Sequence, residues 1–339
     1  MNEEGDTATI RVAAPSKRGQ SHPIAGLVLR RSGMGVVTLL VVSVVIFAAT
    51  EVLPGNAAVA ILGRSTTPAR LHALEVQLHL NHSLVVQYYS WLSGLLAGHP
   101  GTSLTTNGPV WSVVGPRLLD SAVLVAVAGV ISTILGLSLG TLAAVRKDSL
   151  LDHTLSVVTL SVIALPEFVV AIVLIILFAT VVSHLLPAVS FVPPGTSVWD
   201  TPRLIILPVA TLVLVIVPYL FRMTRAATIE ALESDYVEMA RLKGVRAFRI
   251  VVVHALPNAI APTVQVIGLN FLYLAGGIVV VEYVFAFPGI GQGLVSAVAD
   301  RDVPVIQLIV LILSAFYVFM NIASDVVALA ATPTRRLHR

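Results

Sequence analysis

The side chains of this chain that could bind or react are concentrated between Ser234 and Asn258. Charged residues in this stretch lie between two long hydrophobic segments, and they are Asp235, Glu238, Arg241, Lys243, Arg246 and Arg249. A charged side chain costs about 3 kcal/mol at the centre of a bilayer, so the stretch must face water. Its mixture of charged and apolar residues indicates a surface that binds another protein.

Acidic residues in this stretch predict the start of a short helix. Asp235 followed by Glu238 has the spacing of a capping box, in which the two side chains satisfy free N–H groups at a helix start. Ser234 is a competing cap residue, because its hydroxyl can accept the same kind of hydrogen bond.

A glycine predicts the end of the same helix. Arg241 and Lys243 fall in the last turn, where cations interact favourably with the helix dipole, and Gly244 suits the left-handed conformation that ends a helix. These signals predict a helix from Tyr236 to Lys243 and a second helix from Val245 to Ala255. An ordinary amphipathic loop is the alternative interpretation.

The rest of the chain gives no sign of catalytic or cofactor chemistry. The absence of cysteine excludes a thiol nucleophile, a disulfide and a cysteine-based metal site. The nine histidines are scattered and form no His-Glu-x-x-His motif. The run from Pro288 to Gly293 lacks the Gly-Lys-Ser/Thr ending of a phosphate loop and predicts a tight turn or a partly re-entrant segment. We therefore expect no enzyme active site, no metal site and no cofactor in this chain.

Composition indicates an all-α polytopic membrane protein. The chain is 56% hydrophobic and 12% charged, whereas soluble domains are about 25% charged. Hydrophobic segments of about 20 residues, the length that spans a bilayer, predict six transmembrane helices at residues 34–53, 118–145, 153–184, 204–222, 260–285 and 305–331. The third contains Pro166, and we expect one kinked helix there rather than two.

Polar segments complete the predicted domain organisation. Residues 1–28 are expected to form a disordered cytoplasmic tail before a transmembrane domain at 29–339. Residues 55–116 predict an extracytoplasmic cap between helices 1 and 2, with amphipathic helices at Leu71–Leu78 and Val85–Leu96. Residues 223–258 form a cytoplasmic loop.

The distribution of positive residues predicts the orientation. With six spans and both termini in the cytoplasm, 16 of the 21 Lys and Arg residues lie inside and five lie outside. This arrangement follows the positive-inside rule. Dividing the third segment into two spans would place the central charged stretch outside.

A few polar residues fall inside the predicted spans, namely Gln265, Asn270, Glu282, Asn321 and Asp325. They could line or gate a polar path through the membrane. Alternatively, they form hydrogen bonds between helices or, near span ends, face lipid headgroups. A secondary transporter would need midplane carboxylates and repeated broken helices, and no internal repeat is visible.

The spacing within the charged stretch resembles the EAA loop of ABC importer permeases. Glu238-Met239-Ala240 is followed by three residues, Gly244, nine residues, His254, one residue, and Leu256-Pro257. Met239 and His254 depart from the usual Ala and Ile. The chain also resembles the dipeptide, oligopeptide and nickel branch of the family through Leu53-Pro54-Gly55, Val281-Glu282-Tyr283-Val284-Phe285 and Phe287-Pro288-Gly289-Ile290-Gly291. The long cap is typical of its B-type subunit.

The resemblance implies the type I ABC importer permease fold and a set of partners. These partners are a second permease, two cytoplasmic ATPase subunits that bind ATP and Mg, and an extracellular substrate-binding lipoprotein. It implies residence in the cell membrane, a peptide substrate with a nickel chelate as the alternative, and no nucleic acid.

The resemblance also implies roles for individual residues. A coupling helix would dock on an ATPase subunit through an apolar stripe of Tyr236, Met239, Ala240 and Leu242, and Glu238 and Arg241 would anchor it. The full set expected to couple to the ATPase is Asp235, Tyr236, Glu238, Met239, Ala240, Arg241, Gly244, His254, Leu256 and Pro257. The expected path or gate residues are Gln265, Asn270, Glu282, Pro288, Gly289, Gly291, Asn321 and Asp325.

Overall fold

The computed structural model describes residues 23–52, 83–181, 185–192 and 198–331, and the named secondary structure in these ranges is helical. The tail before Pro23 and the predicted helix Leu71–Leu78 lie outside the described residues. The α-helices are α1 (Pro23–Val52), α2 (Leu84–Leu96), α3 (Val110–Val145), α4 (Leu150–Ile163), α5 (Glu167–Ile175), α6 (Arg203–Leu232), α7 (Asp235–Leu242), α8 (Ala247–Arg249), α9 (Leu256–Val284), α10 (Ile290–Ala299) and α11 (Val303–Ala331). Segments of π-helix occur at Ile176–Val181 and Ile250–Ala255.

Four of these helices are individually long and apolar enough to cross a membrane, namely α1, α3, α6 and α11. Two further candidates are bent pairs: α4 with residues 167–181, and the two halves of α9 on either side of Ala275. The described residues therefore hold four to six candidate spans, and the protein is all-helical and membrane-embedded.

Several predicted boundaries differ from the structure, among them the end of the fourth span, because α6 continues to Leu232, inside the predicted loop at 223–258. Helix α1 begins at Pro23, inside the predicted tail, because proline suits the first turn of a helix. Helix α3 begins at Val110, inside the predicted cap, and continues through Pro116. Val110 and Val114 are fully buried in the described structure, so tertiary packing extends this helix beyond its most apolar part.

The expectation of one kinked helix at residues 153–184 was wrong. The segment contains two helices, α4 and the pair formed by α5 and its π-helical end, which meet at an angle of 106°. Pro166 has the extended backbone of an N-cap residue, with ψ of 148°. Because proline also disfavours the helical conformation in the residue before it, the chain stops and restarts here.

Helix α6 lies at the centre of the packing. In its most apolar window 72% of residues are buried, whereas the values for α1, α3 and α11 are between 22% and 33%. The main apolar cluster joins α6 to α3, α5 and α9. A Cβ atom at Gly140 of α3 would lie 2.7 Å from the carbonyl oxygen of Phe221, so the small residue permits close approach of the two helices.

A second apolar cluster joins one end of α3 to α10 and α11 through Val110, Val114, Ile290 and Ile306. The loop before α3 is fixed beside it by the buried carboxylate of Asp302. That carboxylate accepts hydrogen bonds from the hydroxyl of Ser103 and the backbone N–H groups of Leu104 and Thr105. The described part of the predicted cap is therefore packed against the helical bundle.

Candidate coupling surface and transport path

Ser234 is the N-cap of α7, and Asp235 is its first helical residue. The predicted capping box was therefore wrong, because Asp235 does not occupy the cap position and neither side chain caps the backbone. The Ser234 hydroxyl donates instead to the carbonyl oxygen of Ala231, 2.5 Å away. Asp235 and Glu238 remain in the first turn, where their charge favours the helix dipole.

Helix α7 ends in the left-handed turn that the sequence predicts. Gly244 has a φ of +73°, its N–H donates to the carbonyl of Arg241 at 2.9 Å, and the N–H of Val245 donates to Ala240 at 3.1 Å. These two bonds form a Schellman motif. The positive φ explains the glycine, because a side chain there would be strained.

The inner face of α7 is packed against the chain that follows it. Val237 and Ala240 are buried together with Ile250, and they fix the helix to the start of the next helical segment. The prediction that Ala240 belongs to the exposed docking stripe was wrong. Residues three apart share a helix face, and Ala240 follows Val237 onto the buried one.

The outer face of α7 carries exposed apolar side chains. Tyr236, Met239 and Leu242 are 43%, 53% and 76% exposed, and Phe248 beyond the turn is 80% exposed. Glu238 and Arg241 are exposed beside them. We call Tyr236, Met239 and Leu242 the docking face. Such a concentration of exposed apolar residues rimmed by charge is typical of a protein-binding surface.

The predicted separate helix from Val245 to Ala255 was wrong, because helical structure continues from Ala247 through Leu256 into α9. Pro257 has no N–H to donate within a regular α-helix. The π-helix at Ile250–Ala255 precedes it, and a change of hydrogen-bond register of this kind accommodates the missing donor.

A side-chain network ties α7 to the base of α9. Asn258 donates through Nδ2 to the hydroxyl of Tyr236 at 2.9 Å and to the carbonyl of His254 at 2.8 Å. Asn258 was missed as a functional residue from sequence. Its position directly after the Leu256-Pro257 pair could have identified it as the first side chain able to reach back to α7.

Two ion pairs connect the same end of the molecule to the turn between α3 and α4. Arg225 binds Asp152 through two hydrogen bonds, Nε to Oδ1 at 2.6 Å and an N–H to Oδ2 at 2.7 Å. The Lys147 ammonium lies 2.6 Å from Glu233, and the hydrogen bond to Glu233 raises the pKa of Lys147. These pairs place the α3–α4 turn beside the end of α6, from which the chain enters α7, and the sequence did not indicate them.

At the opposite end of α9, Glu282 is fully buried. Its Oε2 accepts hydrogen bonds from the N–H groups of Gly291 at 2.7 Å and Gln292 at 3.2 Å, and its Oε1 accepts from the Ser121 hydroxyl at 2.5 Å. The Ser121 hydroxyl accepts the N–H of Ile290 at 2.8 Å. Together these groups satisfy the free donors at the start of α10. These bonds favour the interpretation that Glu282 forms hydrogen bonds between helices over the interpretation that it lines or gates a polar path.

The glycines of the Pro288–Gly293 run permit this close packing. A Cβ atom at Gly289 would lie 2.0 Å from Oε1 of Glu282, and one at Gly291 would lie 2.5 Å from Cα of Val279. Arg117 also donates to Oε1 of Gln292 at 2.5 Å. A tight turn from Phe285 to Gly289 leads into α10, and the rest of the run, from Ile290 to Gly293, forms the first turn of that helix.

The remaining predicted path residues are distributed over several environments. Asp325 pairs with Arg31 of α1 at 2.8 Å, and Asn321 donates to the carbonyl of Tyr317, one turn earlier in its own helix, at 3.2 Å. Asn270 is buried, and its Nδ2 has no hydrogen-bond partner among the described residues. The side chain of Gln265 lies outside the described residues.

Comparison with known proteins identifies the family. A family model described as "Binding-protein-dependent transport system inner membrane component" matches residues 136–336, and a model of the N-terminal part of such components matches residues 24–121. The chain belongs to this family. The resemblance noted from the sequence is therefore confirmed, and the protein is a permease subunit of an ABC transport system.

Curated relatives cover nearly all of the permease. The dipeptide transport system permease protein DppB of Escherichia coli (strain K12) is 31% identical over 332 residues, which cover 91% of this chain and 98% of the relative. A Brucella abortus protein, named provisionally as a peptide transport system permease protein, is 33% identical over 92% of this chain and 99% of its own. The Sinorhizobium fredii protein named as a probable peptide ABC transporter permease, y4tP, is 33% identical over 88% and 95%.

A further polar side chain of the permease lies at the break between α4 and α5, and it was not predicted from the sequence. Glu167 is the first residue of α5, at the break after α4. It lies beside Tyr273, whose ring centroid lies 5.9 Å from that of Tyr219. Glu167 and Tyr273 line an open cavity of about 430 Å³. An acid directly after Pro166 was the available signal.

Among the described residues of the permease, no cluster of three or more His, Cys, Asp or Glu side chains could hold a metal ion. The predicted coupling residues are grouped at one end of the bundle. The predicted path residues are not grouped. Their roles in coupling and transport stay predictions.

Proposed function

We propose that this permease moves peptides across the cell membrane as part of an ATP-driven importer. It would act with a second permease, two ATPase subunits and an extracellular binding protein. The peptide substrate is favoured over a nickel chelate because the three relatives described above, DppB among them, are named for peptides or dipeptides.

Contacts at the helix ends support six membrane crossings. Asp152 at the start of α4 pairs with Arg225 near the α7 end of the bundle, whereas Ser190, after α5, hydrogen-bonds to Phe285 at the other end. The bent pair of α4 and α5 therefore connects the two ends and counts as one crossing. The positive residues near α7 favour the cytoplasm for that end and for both termini.

The observation that carries the proposed coupling role is the docking face. Its exposed apolar side chains lie on a short helix whose other face is fixed by Val237 and Ala240. A partner that binds this face therefore contacts a helix that is fixed to the rest of the protein. ATP and Mg would be bound by the ATPase subunits, and this chain would contribute no catalytic group.

Movement of α7 would be transmitted by the contacts described above. Tyr236 and Asn258 would pull on the base of α9, and the Glu233–Lys147 pair would pull on the turn between α3 and α4. Closure of two ATPase subunits would in this way displace the cytoplasmic ends of several helices together. The permease would then alternate between inward-facing and outward-facing arrangements.

A substitution on the docking face tests this proposal. Met239→Asp places a charge in the predicted interface, and we expect ATPase association to weaken at least about tenfold, because central apolar contacts dominate such interfaces. The assay is copurification of the ATPase subunits together with peptide import into proteoliposomes. Leu96→Asp is the matched control, since Leu96 is 80% exposed at the other end of the bundle. Normal assembly and import in the Met239 variant would refute the coupling role.

A further inference from the structure

Glu167 lies between the two ends of the helical bundle and is half-buried. Ser190 donates hydrogen bonds to the carbonyl oxygens of both Phe285 and Leu204, so these three residues lie at the same level along the length of the bundle. Tyr273 precedes Phe285 by twelve residues and Tyr219 follows Leu204 by fifteen, which places them about three and four helical turns from that level. Tyr273 also follows Asn258 by fifteen residues and Tyr219 precedes Arg225 by six, so both tyrosines, and Glu167 beside Tyr273, lie between the two ends of the bundle.

The surroundings of Glu167 are open on one side. Tyr273 and Tyr219 are 44% and 39% exposed, and Phe168 is 48% exposed. On the other side the carboxyl group lies against Gly277, where a Cβ atom would lie 3.0 Å from Oε1. None of the ion pairs found among the described residues involves Glu167.

A half-buried carboxyl group at this depth is unfavourable against lipid. Ionisable side chains within membrane spans therefore face a polar cavity or a partner and mark the path of a polar substrate. The three chemical features of this site are a carboxylate, a hydroxyl and two aromatic ring faces. A carboxylate forms strong hydrogen bonds with an ammonium group, and aromatic faces attract the same cation.

We propose that Glu167, with Tyr273 and Tyr219, binds the protonated amino terminus of a peptide during its passage through the permease. This inference rests on the proposed peptide import. Tyr273 lies beside the carboxylate, and the open cavity that the two residues line receives the first residue of the peptide. Gly277 leaves space for the carboxylate, which a larger residue at that position would displace.

Photo-crosslinking tests the site. The complete transporter in nanodiscs is exposed to a tripeptide that carries a diazirine in its first residue, and labelled positions are mapped by mass spectrometry. We expect label near residues 163–168 and 273–280. Glu167→Gln should lower it about tenfold, the factor for a lost hydrogen bond to a charged group, and Glu167→Asp should retain most of it.

Controls separate recognition from folding. Glu51→Gln removes an exposed carboxyl group from α1 and should leave labelling unchanged. A probe whose amino terminus is acetylated has lost its positive charge, and it should label wild type as weakly as the free probe labels Glu167→Gln. Equal labelling of wild type and Glu167→Gln by the free probe overturns the inference. If wild type imports peptide but is not labelled at these segments, the inference fails while peptide import stands. If wild type imports no peptide, the proposed function itself fails.

Discussion

Breaking the Asp152–Arg225 pair should cost different amounts according to which partner is removed. The Asp152 side chain is 2% exposed, whereas that of Arg225 is 29% exposed. Arg225→Met leaves a buried carboxylate without its partner, and we expect a loss of about 3–5 kcal/mol in the free energy of unfolding. Asp152→Asn leaves a guanidinium that water can partly solvate, and the expected loss is about 1–3 kcal/mol.

The assay is reversible unfolding of the purified permease in mixed micelles with increasing SDS. The double variant Asp152→Asn/Arg225→Met completes a double-mutant cycle, and its loss should be smaller than the sum of the two single losses. Equal losses in the single variants, or strict additivity in the double variant, would refute the argument from burial.

Two further substitutions test local parts of the structure. Gly289→Ala places a Cβ atom against the Glu282 carboxylate and should destabilise the permease by about 1–3 kcal/mol in the same SDS assay. Gly276→Ala is the control, because no atom lies within 4 Å of its Cβ position, and it should not destabilise the permease. An unchanged stability of the Gly289 variant would contradict the close packing. Lys147→Gln should remove a contribution to the free energy of unfolding. Because the pKa of Lys147 is raised in the folded protein, this contribution is fully present below the ordinary lysine pKa and is lost only as the pH rises through the raised pKa. The difference of this variant from wild type should therefore be constant between about pH 6 and 9, and a marked change within that range would contradict the assignment.

Features of α7 were predictable from sequence where they depend only on residues that are neighbours in the chain. Gly244 ends the helix because only the backbone conformation of a few neighbouring residues is involved. The choice between Ser234 and Asp235 as N-cap was not predictable in the same way. Both residue types suit that position, and the packing of Val237 and Ala240 against Ile250 selects the orientation of the helix.

Contacts between distant parts of the chain could not be predicted from one sequence. Arg225 and Asp152 are separated by 73 residues, and Glu282 and Ser121 by 161. Each residue alone has several plausible environments, and only the folded arrangement of helices decides among them. The same reason explains why the break at Pro166 was judged a kink, since the 106° angle depends on what the two halves pack against.

Helix α9 makes contacts at three levels, and each level engages a different neighbour. At its base Asn258 binds Tyr236 of α7, in its middle Tyr273 lines a cavity with Glu167 of α5, and at its far end Glu282 caps α10. Substitutions at the three levels should therefore separate three properties. Loss of the base contact should weaken coupling, loss of the middle contact should weaken recognition of the peptide amino group, and loss of the far contact should lower stability. Because all three lie on one helix of 29 residues, about 43 Å long, a single element connects the docking face to the other side of the membrane.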